Sequence, residues 1–161
     1  MRRMQGMSLA PPRALMPDGM KYFLRDNMIR FGGALVLAMS GFVALALISH
    51  SSADPSWNNV AGGPAVNRTG QAGAYISDFL WQWLGILSIL LPACLSVWGL
   101  RIVWELRLPL WRWRPLGLLW GLPFAALALG EVTPPAIWTL RVGLGGALGD
   151  ELDGLIHSQF G

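Results

Sequence analysis

Apolar and polar positions in this chain alternate in blocks tens of residues long. Three runs, 31–49, 79–100 and 116–130, contain no formally charged side chain, and polar or charged stretches separate them. The longest is FLWQWLGILSILLPACLSVWGL, the twenty-two residues from Phe79 to Leu100. As a helix rising ~1.5 Å per residue it reaches ~33 Å, enough to cross the hydrocarbon of a bilayer. Trp81 and Trp83 stand at one end and Trp98 at the other, where indole rings favour the headgroup layer. Pro92 lies inside the run and removes the hydrogen bond owed to the Ser88 carbonyl. Membrane helices tolerate that, because neighbouring groups satisfy the freed oxygen. Buried helices of soluble proteins seldom run this long without a polar face.

The run Phe31–Ser49 predicts a first span, with Gly32, Gly33, Ala34, Ala38 and Gly41 small enough for close helix contact. Ser51-Ser52-Ala53 resembles a signal-peptide cleavage site. The arm before the run is too long for a signal peptide, and the run exceeds its usual ~7–15 apolar residues, so an uncleaved anchor is expected. The third run, Leu116–Gly130, has fifteen residues, short of the ~17 a crossing needs. Flanking residues must extend it to a span of about 113–131. Gly117 and Gly121 form a GxxxG face for helix packing, and Pro123 adds a kink.

Between the spans the chain is polar. Residues 1–30 form a basic arm in which Pro11, Pro12 and Pro17 break any helix as far as about Asp18. Met20–Arg30 then reads as an amphipathic piece, with Tyr22, Phe23 and Met28 toward the membrane and Lys21, Arg25 and Arg30 toward anionic headgroups. The loop 50–77 contains Asp54-Pro55-Ser56-Trp57, an ordered turn in which Asp54 caps the backbone amides after it and Trp57 anchors in the interface. Asn67-Arg68-Thr69 matches a glycosylation sequon, a pattern too common to carry weight. His50 has no partner at metal-ligand spacing and reads as a headgroup-level residue.

The loop 101–114 interleaves four arginines with Trp104, Trp111 and Trp113, and Glu105 is placed to pair with Arg101. That mixture suits the inner interface better than single-stranded nucleic acid. Thr133-Pro134-Pro135 ends the third span. Beyond it, Ile137, Leu140, Leu144, Leu148, Leu152 and Leu155 keep helical spacing, while Gly143, Gly145, Gly146 and Gly149 weaken it. With Arg141 inside and Asp150, Glu151 and Asp153 following, residues 136–161 read as an amphipathic or partly re-entrant helix. The glycines make no phosphate loop, since no GK[ST] follows.

Composition agrees. Of 161 residues, 53% are hydrophobic and 13% charged, and nine are tryptophan. The fold class expected is all-α integral membrane: three transmembrane helices plus the amphipathic or re-entrant C-terminal helix, with a fourth span expected beyond Gly161. Placement of charge sets the orientation. Six of the twelve Lys and Arg precede the first span, four lie in 101–114, and one lies on each opposite segment. Retention of cations inside puts the N-terminus and 101–114 in the cytoplasm, and the Asp54 loop and acidic tail outside. Cys94 is a lone apolar filler.

Chemistry is sparse. Transport sites need ionisable groups at bilayer depth, and the spans have none. No Ser/His/Asp set, HExxH or paired carboxylates occur within a span. The acidic trio does not match an EF-hand loop, and His157 stands alone in sequence. No catalytic, cofactor or metal residue is therefore expected.

Several segments together resemble one family. Ala53-Asp54-Pro55-Ser56-Trp57-Asn58 after a first span is similar to the periplasmic signature of FtsK/SpoIIIE-type septal DNA translocases. So are Gly73-Ala74-Tyr75-Ile76-Ser77-Asp78 before a second span with a central Pro, and Gly145-Gly146-Ala147-Leu148-Gly149-Asp150 before a fourth helix. The resemblance covers roughly 20–161. It implies the N-terminal membrane domain of such a protein, a multi-pass anchor in the bacterial inner membrane at the division septum. It further implies partners among division-septum proteins, a homo-oligomer, and a motor, absent from these residues, that supplies ATP, Mg and DNA binding. Partner contact or structural roles then fall to Asp54, Pro55, Ser56, Trp57, Gly145, Gly146 and Gly149, and helix packing to Pro92, Gly117, Gly121 and Pro123. The competing reading is a small multi-span membrane structural protein or a transporter subunit without catalytic residues.

Overall fold

A computed structural model describes residues 17–57, 59, 63–105, 114–136, 138, 140 and 142–160, with the backbone alone at 18, 105, 114, 115 and 160. The expected arm before residue 17, the Glu105–Arg101 pair, and Trp111, Trp113, Ile137 and Arg141 fall outside the described residues or side chains. Every regular element described is helical: α1 (Asp18–Ile48), α2 (Gly70–Leu84), a 3-10 helix (Gly85–Ile89), α3 (Leu90–Glu105), α4 (Arg114–Gly130) and α5 (Gly146–Phe160).

Helix α1 begins directly after Pro17, whose fixed φ suits a residue leading into a helix. It then runs unbroken for thirty-one residues, so the amphipathic piece and the first span are one rod. Along this rod α3 packs in one antiparallel register. Gly33 lies against Ile102 and Val103, and Gly99 against Leu37; a methyl at either glycine would come within 3 Å of those side chains. Ser40 Oγ donates to Pro92 O at 2.7 Å and lies 2.7 Å from Ser96 Oγ. Ser40 is buried, and its contacts with Pro92 and Ser96 help to fix the register of the two helices.

The second run departs from the expected straight span. Gly85 adopts φ 55°, ψ −134°, a region essentially reserved for glycine, and ends α2. A 3-10 segment follows and α3 restarts at Leu90. Pro92 therefore sits in the first turn of a new helix, where its missing N–H is no loss, and it is not a mid-span kink. The Ser88 hydroxyl is buried at the break and meets no partner among the described residues.

Helix α4 holds Pro123 inside it without ending. Gly117 and Gly121 are exposed, and a Cβ at either would meet nothing within 4 Å among the described residues. The tail is helical only from Gly146, ten residues later than the leucine spacing predicts, because the glycines before it are spent on a turn.

Large apolar side chains point outward from the helices, among them Leu35, Met39, Leu91, Val97, Leu119 and Phe124. The buried core, by contrast, is small: Val43, Leu47 and Leu80, with Phe42, Trp81 and Leu84 against them. Outward apolar faces around a slight interior are the inverse of a water-soluble bundle and match lipid as the solvent.

Candidate functional site

Two irregular regions meet at the end of the bundle where α1 stops. The first is a polar cage in the loop 50–69. Asp54 is 4% exposed, and its carboxylate accepts from Val66 N at 2.7 Å and Asn67 N at 2.9 Å. It thus closes the loop across twelve residues, where the sequence reading has it capping the amides just after it. Asn59 Nδ2 donates to Ser52 O (3.2 Å) and Asp54 O (3.1 Å), and Ser56 N to Asn59 O (2.9 Å), so Pro55 and Ser56 lie in a tight, tied turn.

Asn67 is the pivot that sequence reasoning missed. Its Nδ2 donates to Ala46 O at 2.9 Å, and its Oδ1 accepts from Thr69 N at 3.0 Å and Thr69 Oγ1 at 2.6 Å. One side chain thereby joins the last turn of α1, the loop and the start of α2. Because the amide is turned inward, the sequon is not presented at the surface. Only its place in a loop between two predicted spans marked it.

His50 is not isolated. Its Nδ1 lies 3.2 Å from Ser77 Oγ, while Nε2 is buried with no partner among the described residues. Burial holds the imidazole pKa below its ordinary value, against the opposing pull of the Asp78 and Asp54 carboxylates. The ring is thereby kept neutral near pH 7.

Trp57 points away from the cage and is 70% exposed. Its ring meets Tyr75 and Phe79 edge-on at 5.7 Å each, and Phe79 continues to Trp83 at 5.8 Å. Four aromatic rings thus form one row along α2.

The second region is a glycine junction. Ile86 N donates to Leu144 O at 3.0 Å, tying the break after α2 to the turn before α5. A Cβ at Gly85 would stand 2.1 Å from Leu144 O, and one at Gly146 would stand 2.6 Å from Gly85 N. On the other side, Gly145 and Gly149 press against Ala126 O of α4, and Gly130 against Gly149. Gly146 itself has φ 67°. Gly145, Gly146 and Gly149 are buried, so they join backbone to backbone and present no surface to a partner. Trp138 lies over the junction, edge-on to Trp81 at 5.9 Å, with Nε1 donating to Val142 O at 2.8 Å.

The acidic trio is not gathered in one place. Asp150 accepts from Gly143 N at 3.2 Å, whereas Asp153 pairs with His157 Nδ1 at 3.1 Å. His157 is therefore not solitary. Glu131, Asp153 and His157 bring ligand-type atoms within 4.8 Å of one another, with Glu131 and His157 open to the surface.

Comparison with known proteins gives one answer. A family model described as the 4TM region of DNA translocase FtsK/SpoIIIE matches residues 28–161. The chain is 38% identical to DNA translocase FtsK of Caulobacter vibrioides over 144 residues, which are 86% of this chain and 18% of that protein. It is 33% identical to DNA translocase FtsK of Pseudomonas putida over 155 residues, 91% of this chain and 18% of that protein. Against the Rickettsia typhi protein of the same name it is 40% identical over 85 residues, 52% of this chain and 11% of that protein. The chain thus spans less than a fifth of the length of these relatives. No solved structure matches it.

Proposed function

Since the chain belongs to the family of the 4TM region of DNA translocase FtsK/SpoIIIE, and so to a membrane domain, we propose that it is the membrane anchor and division-site interaction domain of a DNA translocase that couples chromosome segregation to cell division. It sits in the bacterial inner membrane with its N-terminus in the cytoplasm, and it self-associates. ATP and Mg chemistry and DNA contact belong to a motor outside these residues, and this chain itself catalyses nothing.

The observation that carries the reading is the family match over 28–161, joined to a helical bundle whose apolar side chains face outward. Orientation rests on the cations: six precede the first span and four lie in 101–114. The cage gives the outer side an ordered surface for division partners, and Trp57 stands exposed at its edge. In a full-length parent carrying a fluorescent fusion, Trp57→Ala is expected to lower recruitment to the septum while ATP turnover holds. Equal recruitment of mutant and wild type contradicts the partner role. Alkaline phosphatase fused after Val66 is expected to be active and after Trp111 inactive. The opposite pattern reverses the orientation.

A further inference from the structure

The apolar stretch Gly70–Trp104 has thirty-five residues, which as one rod would run ~52 Å, far beyond the ~30 Å hydrocarbon layer. The register of α1 against α3 shows where the excess goes. The pairs Gly33–Val103, Leu37–Gly99 and Ser40–Ser96 hold one register, and its continuation sets Ile48 beside Ser88. Ile48 and Leu47 do share a cleft with Ile89, and Trp81 lines the same cleft. Trp81 Nε1 also donates to Leu47 O at 3.3 Å. Trp81 and Ile89 therefore stand at one level, the last turn of α1, and the chain between them gains no depth.

The apolar part of α1, from Phe31 to Ile48, is ~27 Å long and matches the hydrocarbon layer without help. Its partner over that depth is the stretch from Ser88 to Glu105. Before Trp81, Ser77 lies beside His50 and Asn67, just past the end of α1, and Leu80 packs with Val43 and Leu47 in its last turns. One face of α2 is buried, at Gly73, Ala74, Ser77 and Leu80. Another carries Tyr75, Phe79 and Trp83, in one row with Trp57. Tyrosine and tryptophan in such a row, flanking the end of a span, match the headgroup layer, where an apolar ring body and a polar edge are both accommodated.

We infer that α2 is no part of the second crossing: it is an interfacial helix, and its aromatic row together with Trp57 is a contact surface for the lipid headgroups of the leaflet where α1 ends. Gly85 is the corner at which the chain turns from that surface into the bilayer. Assigning that leaflet as the outer one rests on the proposed orientation; the interfacial placement does not.

The test is a depth profile. Spin labels are attached singly to cysteines replacing Ile76, Phe79, Ile86, Leu90 and Val97, all exposed positions, in a Cys94→Ala background. The chain is reconstituted in phosphatidylethanolamine–phosphatidylglycerol vesicles, and collision rates with oxygen and with a water-soluble nickel complex give depth. Labels at Ile76 and Phe79 are expected at headgroup depth, Ile86 and Leu90 at nearly one level beneath them, and Val97 deeper than Leu90 by ~10 Å over seven residues if α3 stands along the normal. A single continuous span instead puts the deepest label at Ile86, with Ile76 and Val97 equally shallow, and that result overturns the inference. Labels at Ile76 and Phe79 fully open to the nickel complex overturn it too, since they place the row in water. A reversed orientation leaves this profile unchanged and is read separately, from the side on which a membrane-impermeant maleimide reaches the thiol of the Ile76→Cys chain.

Discussion

The polar cage and the glycine junction close the same end of the bundle by opposite means. In the cage, side chains reach across gaps: the Asp54 carboxylate and the Asn67 amide satisfy backbone groups twelve to twenty-one residues away. In the junction, side chains are missing, and Gly85, Gly146 and Leu144 bring main chains within contact distance of each other. Loss of an atom damages the first and addition of an atom damages the second. The difference has a physical origin. The loop 50–69 borders water and can use polar groups, whereas the junction seals the ends of three apolar helices. There a polar side chain would be costly, and close packing does the work instead.

The largest effect is expected from adding one carbon at the junction. Gly85→Ala forces a Cβ to 2.1 Å from Leu144 O and strains a glycine-only backbone region. The loss is expected to exceed ~3 kcal/mol, read as failure to accumulate or a collapsed melting midpoint in detergent. Next is removal of atoms from the cage. Asp54→Ala orphans two amides, Val66 N and Asn67 N, with an expected cost of ~2–3 kcal/mol in the same assay. Protease sensitivity should rise in 50–69 and not at 142–146.

A glycine outside the junction should behave in the opposite way. Gly117 faces open space, so Gly117→Ala is expected to hold or raise thermal stability by at most ~1 kcal/mol. If self-association uses that face, the change appears in cross-linking yield and not in melting. The smallest effect is that of pH on the cage. Because burial depresses the His50 pKa in the folded state, the unfolded chain takes up the proton first. Stability should therefore be full above about pH 6.5 and fall as the pH drops below it. His50→Gln is expected to flatten that slope, and an unchanged slope would show that other groups produce it.

Legibility in the sequence follows the same division. The start of α1 after Pro17 and the apolar lengths of α1 and α4 are readable, since charge-free runs and proline act through composition and local sterics. The corner at Gly85 is not. A single glycine between Leu84 and Ile86 has no local signature, and only its contact with Leu144, far along the chain, explains it. Pro92 is the conspicuous breaker of the run, yet it begins a helix because the break lies seven residues before it. Asp54 is legible as a capping residue, but its target is not, because the loop closes through Asn67. Glycines of the tail are visible as helix-weakening residues, while their role in joining helix to helix depends on the fold. Resemblance to a family singles out Gly145, Gly146 and Gly149 without saying that they face inward.

Cage and junction are expected to share one face of the membrane, the outer one in the proposed orientation. Single cysteines replacing Ser52, Val132 and Met28 in a Cys94→Ala background, treated with an impermeant maleimide in intact cells whose outer envelope is permeable to it, test this directly. All three positions are exposed. Ser52→Cys and Val132→Cys are expected to label at once, and Met28→Cys only after the inner membrane is opened. Labelling of Ser52→Cys and Val132→Cys from opposite sides would contradict the account.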